Sequence, residues 1–353
     1  MTFTPGMQLY KYKLKHMIGG GNFGEVWLAH DATVNADIAV KLLAGHLAPA
    51  MTILKEAQIG NRLTHANVVK VHYADVVSEA GTDVVVIAMD YHVNGSIVSL
   101  ANSGNFIIAP RAISFVIDVL RGLEYLHERS IFHNDIKPSN ILLGSMNEAL
   151  ITDYGISCLS PGLLPTPAPN AYVLHRAPET TATNSICVTT DIYQVGLTLF
   201  RLVNGLGTID DLLAKVGEAE FEKLKAQGKV PPVGDYLPFV EPSLIRIIKK
   251  ATDHDPGRRF QSALEMRRAL EKIPTFGYWD MNSTGDLFGT LGRYTYTYST
   301  TKSKAGYMFT AYKENVDTGR KVRISEFTAR VALESDCNQL KKQLMLAVVK
   351  GEL

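Results

Sequence analysis

Cysteine is scarce in this chain of 353 residues, and the three present, Cys158, Cys187 and Cys337, stand far apart without CxxC spacing. That pattern argues against a disulfide framework or a zinc site and fits a reducing compartment. Long apolar runs are missing as well. No window approaches the roughly 18 consecutive apolar residues of a membrane span, and Met1 to His16 contains no signal-peptide h-region. A cytoplasmic protein with no membrane partner is expected. Net charge is also nearly absent, at +1, so the overall balance offers no electrostatic argument for nucleic acid or a lipid surface. Residues 274 to 353 carry 11 Lys+Arg against 8 Asp+Glu, which makes that part only mildly basic. There is no internal repeat. What the chain does have is material for substantial cores, with 46% hydrophobic and 20% charged residues, and a length that suits two lobes and a modest appendage.

The first part reads as strands separated by turns. Tyr10 to Ile18, Glu25 to His30, Ile38 to Leu43, Val68 to Tyr73 and Val84 to Met89 are the expected strands, with one helix from about Ala50 to Leu63. After Pro110, a residue suited to a helix start, Ile113, Val116, Val119, Leu120, Leu123 and Leu126 recur at helical spacing. Thr190 to Val203, Pro242 to Ala251 and Gln261 to Lys272 read as further helices. A strand-rich lobe followed by a helical one places a cleft between them. The stretch Leu159 to Asn170, with Pro161, Pro165, Pro167 and Pro169, reads as an exposed loop.

Two segments carry nucleotide chemistry. Gly19, Gly21, Gly24 and Val26 form G-x-G-x-x-G-x-V, in which glycine lets the backbone approach phosphate oxygens without a Cβ clash. Its place between two strands argues against a dinucleotide fold, and no G-K-[ST] follows to make a P-loop. Lys41 then lies at the end of the apolar run Ile38-Ala39-Val40, placed to reach α- and β-phosphates. Glu56, the only acidic residue between Lys41 and Arg62, is its expected carboxylate partner. An adenine ring needs an apolar slot and exposed backbone groups. Val84 to Met89 leading into Asp90-Tyr91-His92 supplies both, with Asp90 and His92 as candidates for backbone contacts.

Phosphoryl transfer itself points to His133-Asn134-Asp135-Ile136-Lys137-Pro138-Ser139-Asn140. The Asp135 carboxylate can orient an attacking hydroxyl and accept its proton. Lys137 can neutralise charge on the moving phosphoryl group, and the Asn140 amide oxygen can hold Mg2+. Asp153, in Ile151-Thr152-Asp153-Tyr154-Gly155, supplies a second hard oxygen for the same cation, while His133 reads as a brace.

With Ala177-Pro178-Glu179, Asp191-Ile192-Tyr193-Gln194-Val195-Gly196 and Asp255-Pro256-Gly257-Arg258-Arg259-Phe260, these motifs make the chain resemble eukaryotic-like (Hanks-type) serine/threonine protein kinases over about Tyr10 to Ile273, and bacterial members in particular. The resemblance implies an α+β, bilobal protein kinase fold. Its upper lobe, 10–92, would have a five-stranded sheet and one helix, and its lower lobe, 93–273, would be mainly helical. It implies ATP and Mg2+, with Mn2+ as an alternative, protein substrates and autophosphorylation. Asp135, Lys137, Lys41 and Glu56 would be catalytic, and Asn140 and Asp153 would hold the metal. The nucleotide would meet Ile18, Gly19, Gly20, Gly21, Asn22, Phe23, Gly24, Val26, Ala39, Lys41, Met89, Asp90, His92 and Leu142. Arg259 would pair with Glu179.

Departures from the family pattern concern regulation at one position and substrate geometry at another. Asn134 stands where Arg usually precedes the catalytic Asp, a non-RD arrangement with no positive charge to dock a phosphorylated activation segment. Ala171 to Arg176 replaces the usual G-T-x-x-Y, so the Thr that would bridge Asp135 and Lys137 is missing. A pseudokinase or nucleotide-binding scaffold is the competing reading, against which Lys41, Asp135 and Asp153 are all present.

From Pro274 onward a small β-β-β-α module, 274–353, is expected. Its strands are Arg293 to Thr300, Gly306 to Lys313 and Lys321 to Thr328, and its helix runs from Ser335 to Val349. Tyr294, Tyr296 and Tyr298 give one aromatic face. Arg320, Lys321 and Arg323 form a basic edge, loosely similar to the DNA-binding arms of integrases. Docking of a regulator or of another copy is the preferred reading for this module, with nucleic acid the minority one.

Overall fold

The computed structural model describes residues 2–21, 24–44, 61–79, 81–102, 104–153, 158–167, 173–232, 234, 236–304 and 306–353, with backbone alone at 21, 44 and 158. Tyr10, in the left-handed region at φ 54°, turns β1 (Gln8–Leu9) back onto β2 (Tyr12–Gly21). β3 (Gly24–Asp31), β4 (Ala36–Ala44), β5 (Val71–Glu79) and β6 (Thr82–Met89) complete an antiparallel sheet in the order β1-β2-β3-β4-β6-β5. The sheet therefore has six strands instead of the five expected. The extra strand forms because Leu9, ahead of the expected start at Tyr10, is fully buried against the sheet. The helix expected over 50–63 falls mostly outside the described residues.

Strand periodicity divides this lobe's apolar residues between two cores. Val40, Leu42, Val84, Val86 and Ala88 pack with Leu9, Tyr12 and Trp27 on one face. Ala39, Val85, Ile87 and Met89 face the second lobe and join its core. Lys41 shares the parity of Ala39, so β4 presents it to the cleft.

The second lobe is built around α1 (Ala109–His127), which carries the helical spacing read from the sequence on its buried side. β7 (Ile131–Phe132) leads into the catalytic loop, and the hairpin of β8 (Ile141–Leu143) and β9 (Ala149–Ile151) follows it. β10 (Cys158–Leu159) pairs with β7, and β11 (Thr166–Pro167), inside the proline-rich stretch, pairs with β12 (Ser185–Ile186). Between them comes α2 (Pro178–Thr183). The central helix α3 (Val188–Asn204) is buried along most of its length. Around it lie α4 (Thr208–Val216), α5 (Glu218–Ala226), α6 (Pro242–Ala251) and α7 (Ala263–Leu270). A Cβ on Gly196 of α3 would come within 2.6 Å of the Ala251 Cβ, so this glycine sets the close approach of α3 and α6.

The C-terminal part departs from the expected β-β-β-α order. A five-stranded antiparallel meander of β13 (Gly277–Met281), β14 (Leu287–Leu291), β15 (Tyr294–Ser303), β16 (Gly306–Asn315) and β17 (Lys321–Val331) precedes α8 (Glu334–Lys350). The first two strands are short and carry Gly277 and Gly289, which in sequence look like turn residues. In the fold they admit α8, because a Cβ on Gly277 would lie 2.3 Å from the Val348 oxygen. Tyr296, Trp279, Phe309, Leu344 and Val348 form this core, and Phe106 and Phe239 of the second lobe pack into it. Packing explains two of the three tyrosines of the stripe: Tyr296 is buried and Tyr298 stacks on Phe309 at 5.8 Å, while Tyr294 is exposed. Lys321 and Arg323 lie exposed on the outermost strand, β17, and Arg320 is exposed just ahead of it. No helix among the described residues is long and apolar enough to cross a membrane.

Candidate active site

A cleft of about 790 Å³ opens between the lobes. From β2 and β3 it receives Ile18, Gly19, Gly20, Gly24 and Val26; from β4, Ala39 and Lys41; from the end of β6 and the linker after it, Met89, Asp90 and His92; and from below, Lys137, Asn140, Leu142 and Asp153. Gly21 ends β2 opposite Gly24. Asn22, Phe23 and Glu56 lie outside the described residues. Tyr91, Val93, Gly95, Ser96, Ser139 and Thr152 also line the cleft and escaped the sequence reading. Their only signal was adjacency to the motifs, since none has a side chain that the chemistry demands.

Gly24 has a positive φ of 103°, and a Cβ there would meet the Leu42 oxygen at 2.3 Å. Only glycine lets β3 start this close to β4. At the linker, the Asp90 N–H donates to the Lys70 oxygen at 3.0 Å, which leaves its carbonyl as the group it can offer an adenine edge.

Lys41 Nζ lies 2.6 Å from Asp153 Oδ1 and is almost fully buried. The strand lysine therefore meets the carboxylate read as a metal ligand, and its expected partner Glu56 lies outside the described residues. Asp153 adopts φ 69°, a left-handed conformation that Asp tolerates better than most residues.

The catalytic loop is buried and tightly bonded. Asp135 Oδ2 accepts from Lys137 Nζ at 2.7 Å and from Asn140 Nδ2 at 2.8 Å. Asn140 Nδ2 also donates to the Asp135 carbonyl at 3.0 Å. These two acceptors fix the amide orientation, so Oδ1 remains as its cation-binding atom. An amide oxygen and the Asp153 carboxylate suit Mg2+, which takes one or two protein oxygens and fills its shell with phosphate and water.

His133 is fully buried. Its Nδ1 accepts from the Asp135 N–H at 3.3 Å and its Nε2 donates to the Thr152 oxygen at 3.1 Å, a pattern only the neutral ring satisfies. Burial accordingly holds its pKa below the ordinary value despite the nearby Asp191, Asp135 and Asp153. The ring ties the catalytic loop to the strand end that precedes Asp153, which is a bracing role.

Support comes from α3. Asp191, wholly buried, accepts from the His133 N–H at 3.0 Å, the Asn134 N–H at 2.7 Å and His127 Nε2 at 2.8 Å. Gln194 accepts from the Ile136 N–H at 2.9 Å and donates to the Asn134 oxygen at 2.8 Å. Asn134 itself takes φ 63°, and both polar atoms of its buried amide lack a hydrogen-bond partner among the described residues. Arg259 forms a bidentate pair with Glu179 at 2.8 and 2.7 Å, as the motif spacing implied.

Comparison with known proteins agrees with this geometry. The protein kinase domain family matches residues 12–270. A probable serine/threonine-protein kinase of Streptomyces coelicolor is 30% identical over 275 residues, which span 74% of this chain and 39% of that protein. Serine/threonine-protein kinase PrkC of Bacillus subtilis is 30% identical over 270 residues, covering 74% and 40% respectively. Serine/threonine-protein kinase PknB of Mycobacterium tuberculosis is 25% identical over 279 residues, covering 76% and 44%. The chain spans about two-fifths of the length of these relatives. With the cleft, the catalytic loop and the paired motifs in place, the chain belongs to the protein kinase domain family, whose members use ATP and a divalent cation.

Proposed function

We propose that this protein is an ATP-dependent kinase that transfers the γ-phosphate of Mg-ATP to serine and threonine hydroxyls of protein substrates, itself included. The observation that carries this reading is the convergence of Lys137, Asn140, Lys41 and Asp153 on one cleft, with Asp135 bonded to the first two. Asp135 orients the acceptor hydroxyl and takes its proton, and Lys137, 2.7 Å away, offsets charge on the transferred group. Lys41 serves the inner phosphates. Asn140 and Asp153 would hold Mg2+, with Mn2+ as an alternative, and the cation when bound neutralises the terminal phosphates. Most of the catalysis in such a site is positioning and charge stabilisation.

Residues 10–273 act in this reading as the catalytic domain and 274–353 as an accessory module that docks a regulator or another copy, in the cytoplasm. Asn134 makes the enzyme a non-RD kinase whose activity is independent of phosphate on the activation segment. The test is transfer of labelled γ-phosphate to the protein and to a generic acceptor, comparing wild type with Asp135→Asn and Lys41→Ala. Incorporation is expected in wild type alone, on Ser and Thr by phosphoamino-acid analysis. Equal incorporation in all three would sink the catalytic assignment, and ATP binding with no incorporation would select the nucleotide-binding scaffold.

A further inference from the structure

A second cavity, of about 300 Å³, adjoins the catalytic loop and is lined by Val98, Lys137, Pro138, Ser139, Arg201 and Leu206. It shares Lys137 and Ser139 with the nucleotide cleft and so adjoins the Asp135–Lys137 pair, where in the kinase reading the residues flanking a substrate hydroxyl lie. Its far wall is one hydrogen-bonded unit. Arg201 Nε and Nη2 donate to the Leu206 oxygen at 2.9 and 2.6 Å, Nη2 donates to Asp210 at 2.6 Å, and Nη1 donates to His175 Nε2 at 2.8 Å.

That wall is tied to the C-terminal module. The Leu206 N–H donates to the Asn105 oxygen at 2.8 Å. Asn105 belongs to a tight loop organised by Asn102, whose Oδ1 accepts from the Gly104 and Phe106 N–H groups at 3.0 and 3.2 Å. The other amide atom, Asn102 Nδ2, donates to Asp280 Oδ1 of β13 at 2.8 Å. Phe106 of the same loop packs on Phe239 at 5.4 Å within the module's core.

We propose that the C-terminal module is a buttress for the acceptor-binding wall, and that Asp280 and Asn102 are positioning residues for the protein substrate. The proposal rests on the kinase reading for its kinetic consequence, although the mechanical link stands without it. Asp280 fixes Asn102, Asn102 fixes the loop, and the loop carbonyl at Asn105 fixes Leu206 and through it the Arg201 side chain. The nucleotide side has no part in this chain of contacts, so an effect confined to the acceptor is the signature of a buttress.

Full-length Asp280→Ala and Asn102→Asp break the link from either end. The second keeps the oxygen that caps Gly104 and Phe106 and replaces only the donor. Asp280→Asn retains an acceptor oxygen and should restore wild-type behaviour. Both breaking variants should raise KM for a peptide acceptor about fivefold, the value of one hydrogen bond, with ATP KM unchanged. Their double variant should do no worse than either single one, because both remove the same bond. Amide hydrogen exchange at Leu206 should accelerate in both breaking variants and return to wild-type rates in Asp280→Asn. Unchanged exchange at Leu206, or peptide and ATP KM rising together, would overturn the proposal. A wild type that transfers no phosphate would instead overturn the kinase reading, and the exchange data would still decide the link.

Discussion

The catalytic loop and the acceptor-side wall meet at Lys137 but are held in different ways. The loop hangs from α3 through a wholly buried carboxylate, Asp191, that accepts from two backbone N–H groups and a histidine, and through Gln194, which both donates and accepts. The wall holds an Arg201–Asp210 ion pair, but its tie to the C-terminal module is a chain of carbonyl and amide contacts that ends at Asp280, a half-buried residue. A buried charge with three donors has no alternative partner to turn to, so its geometry is fixed. A half-exposed link competes with water and can be given up at small cost. In the proposed reading, chemistry thus sits on the rigid support and substrate recognition on the adjustable one.

The comparison can be broken most severely at the base. Asp135→Asn should lower kcat about a hundredfold to ten-thousandfold while leaving thermal unfolding close to wild type, since it removes proton acceptance and keeps the shape. Rates near wild type would show that Asp135 does not act as the base. Asp191→Ala comes next. It strands three buried donors and should cost about 3–5 kcal/mol in denaturant unfolding, where a loss below about 1 kcal/mol would mean that α3 does not carry the loop.

Acid should act on both the loop and the wall, and more gently. His133 and His175 are buried and neutral: burial lowers both pKa values, and the Arg201 charge lowers that of His175 further. The unfolded chain therefore binds more protons than the folded one below the ordinary histidine pKa of about 6.5. Their contribution is complete above that pH and is lost as the pH falls through it. Unfolding free energy measured from pH 8 to 5 should decline on the acid side, and His175→Gln should flatten the decline. The smallest expected effect is none at all. Phosphatase treatment should leave activity unchanged, because Asn134 offers no cation to a phosphate on the activation segment, and abolished activity that Ser160 or Thr166 replacement reproduces would refute this.

The parts of the site with demanding chemistry were legible because few residue types can do the work at fixed spacing. Asp135, Lys137 and Asn140 could be named as candidates from one loop, Asp153 from the segment Ile151 to Gly155, and Arg259 with Glu179 from two distant motifs. Tyr91, Val93, Gly95, Ser96, Ser139 and Thr152 were not, because a cleft wall asks only for shape and backbone. The sixth strand escaped for a related reason. Gln8 and Leu9 carry no pattern of their own and become a strand only by pairing with Tyr12 and Lys13. The first two strands of the C-terminal part escaped as well: they are short, and Gly277 and Gly289 within them leave room for α8.

Sequence alone thus marked the candidate chemistry, the bilobal order and the absence of an arginine beside Asp135, since these rest on residue identity and local periodicity. The contact of Lys41 with Asp153, the bracing of the catalytic loop by Asp191 and the reach of Asp280 to the acceptor wall came from the tertiary structure. Each joins residues more than 50 positions apart. Which donor meets which acceptor across such separations is decided by how the sheets and helices pack, and nothing local to either residue encodes it.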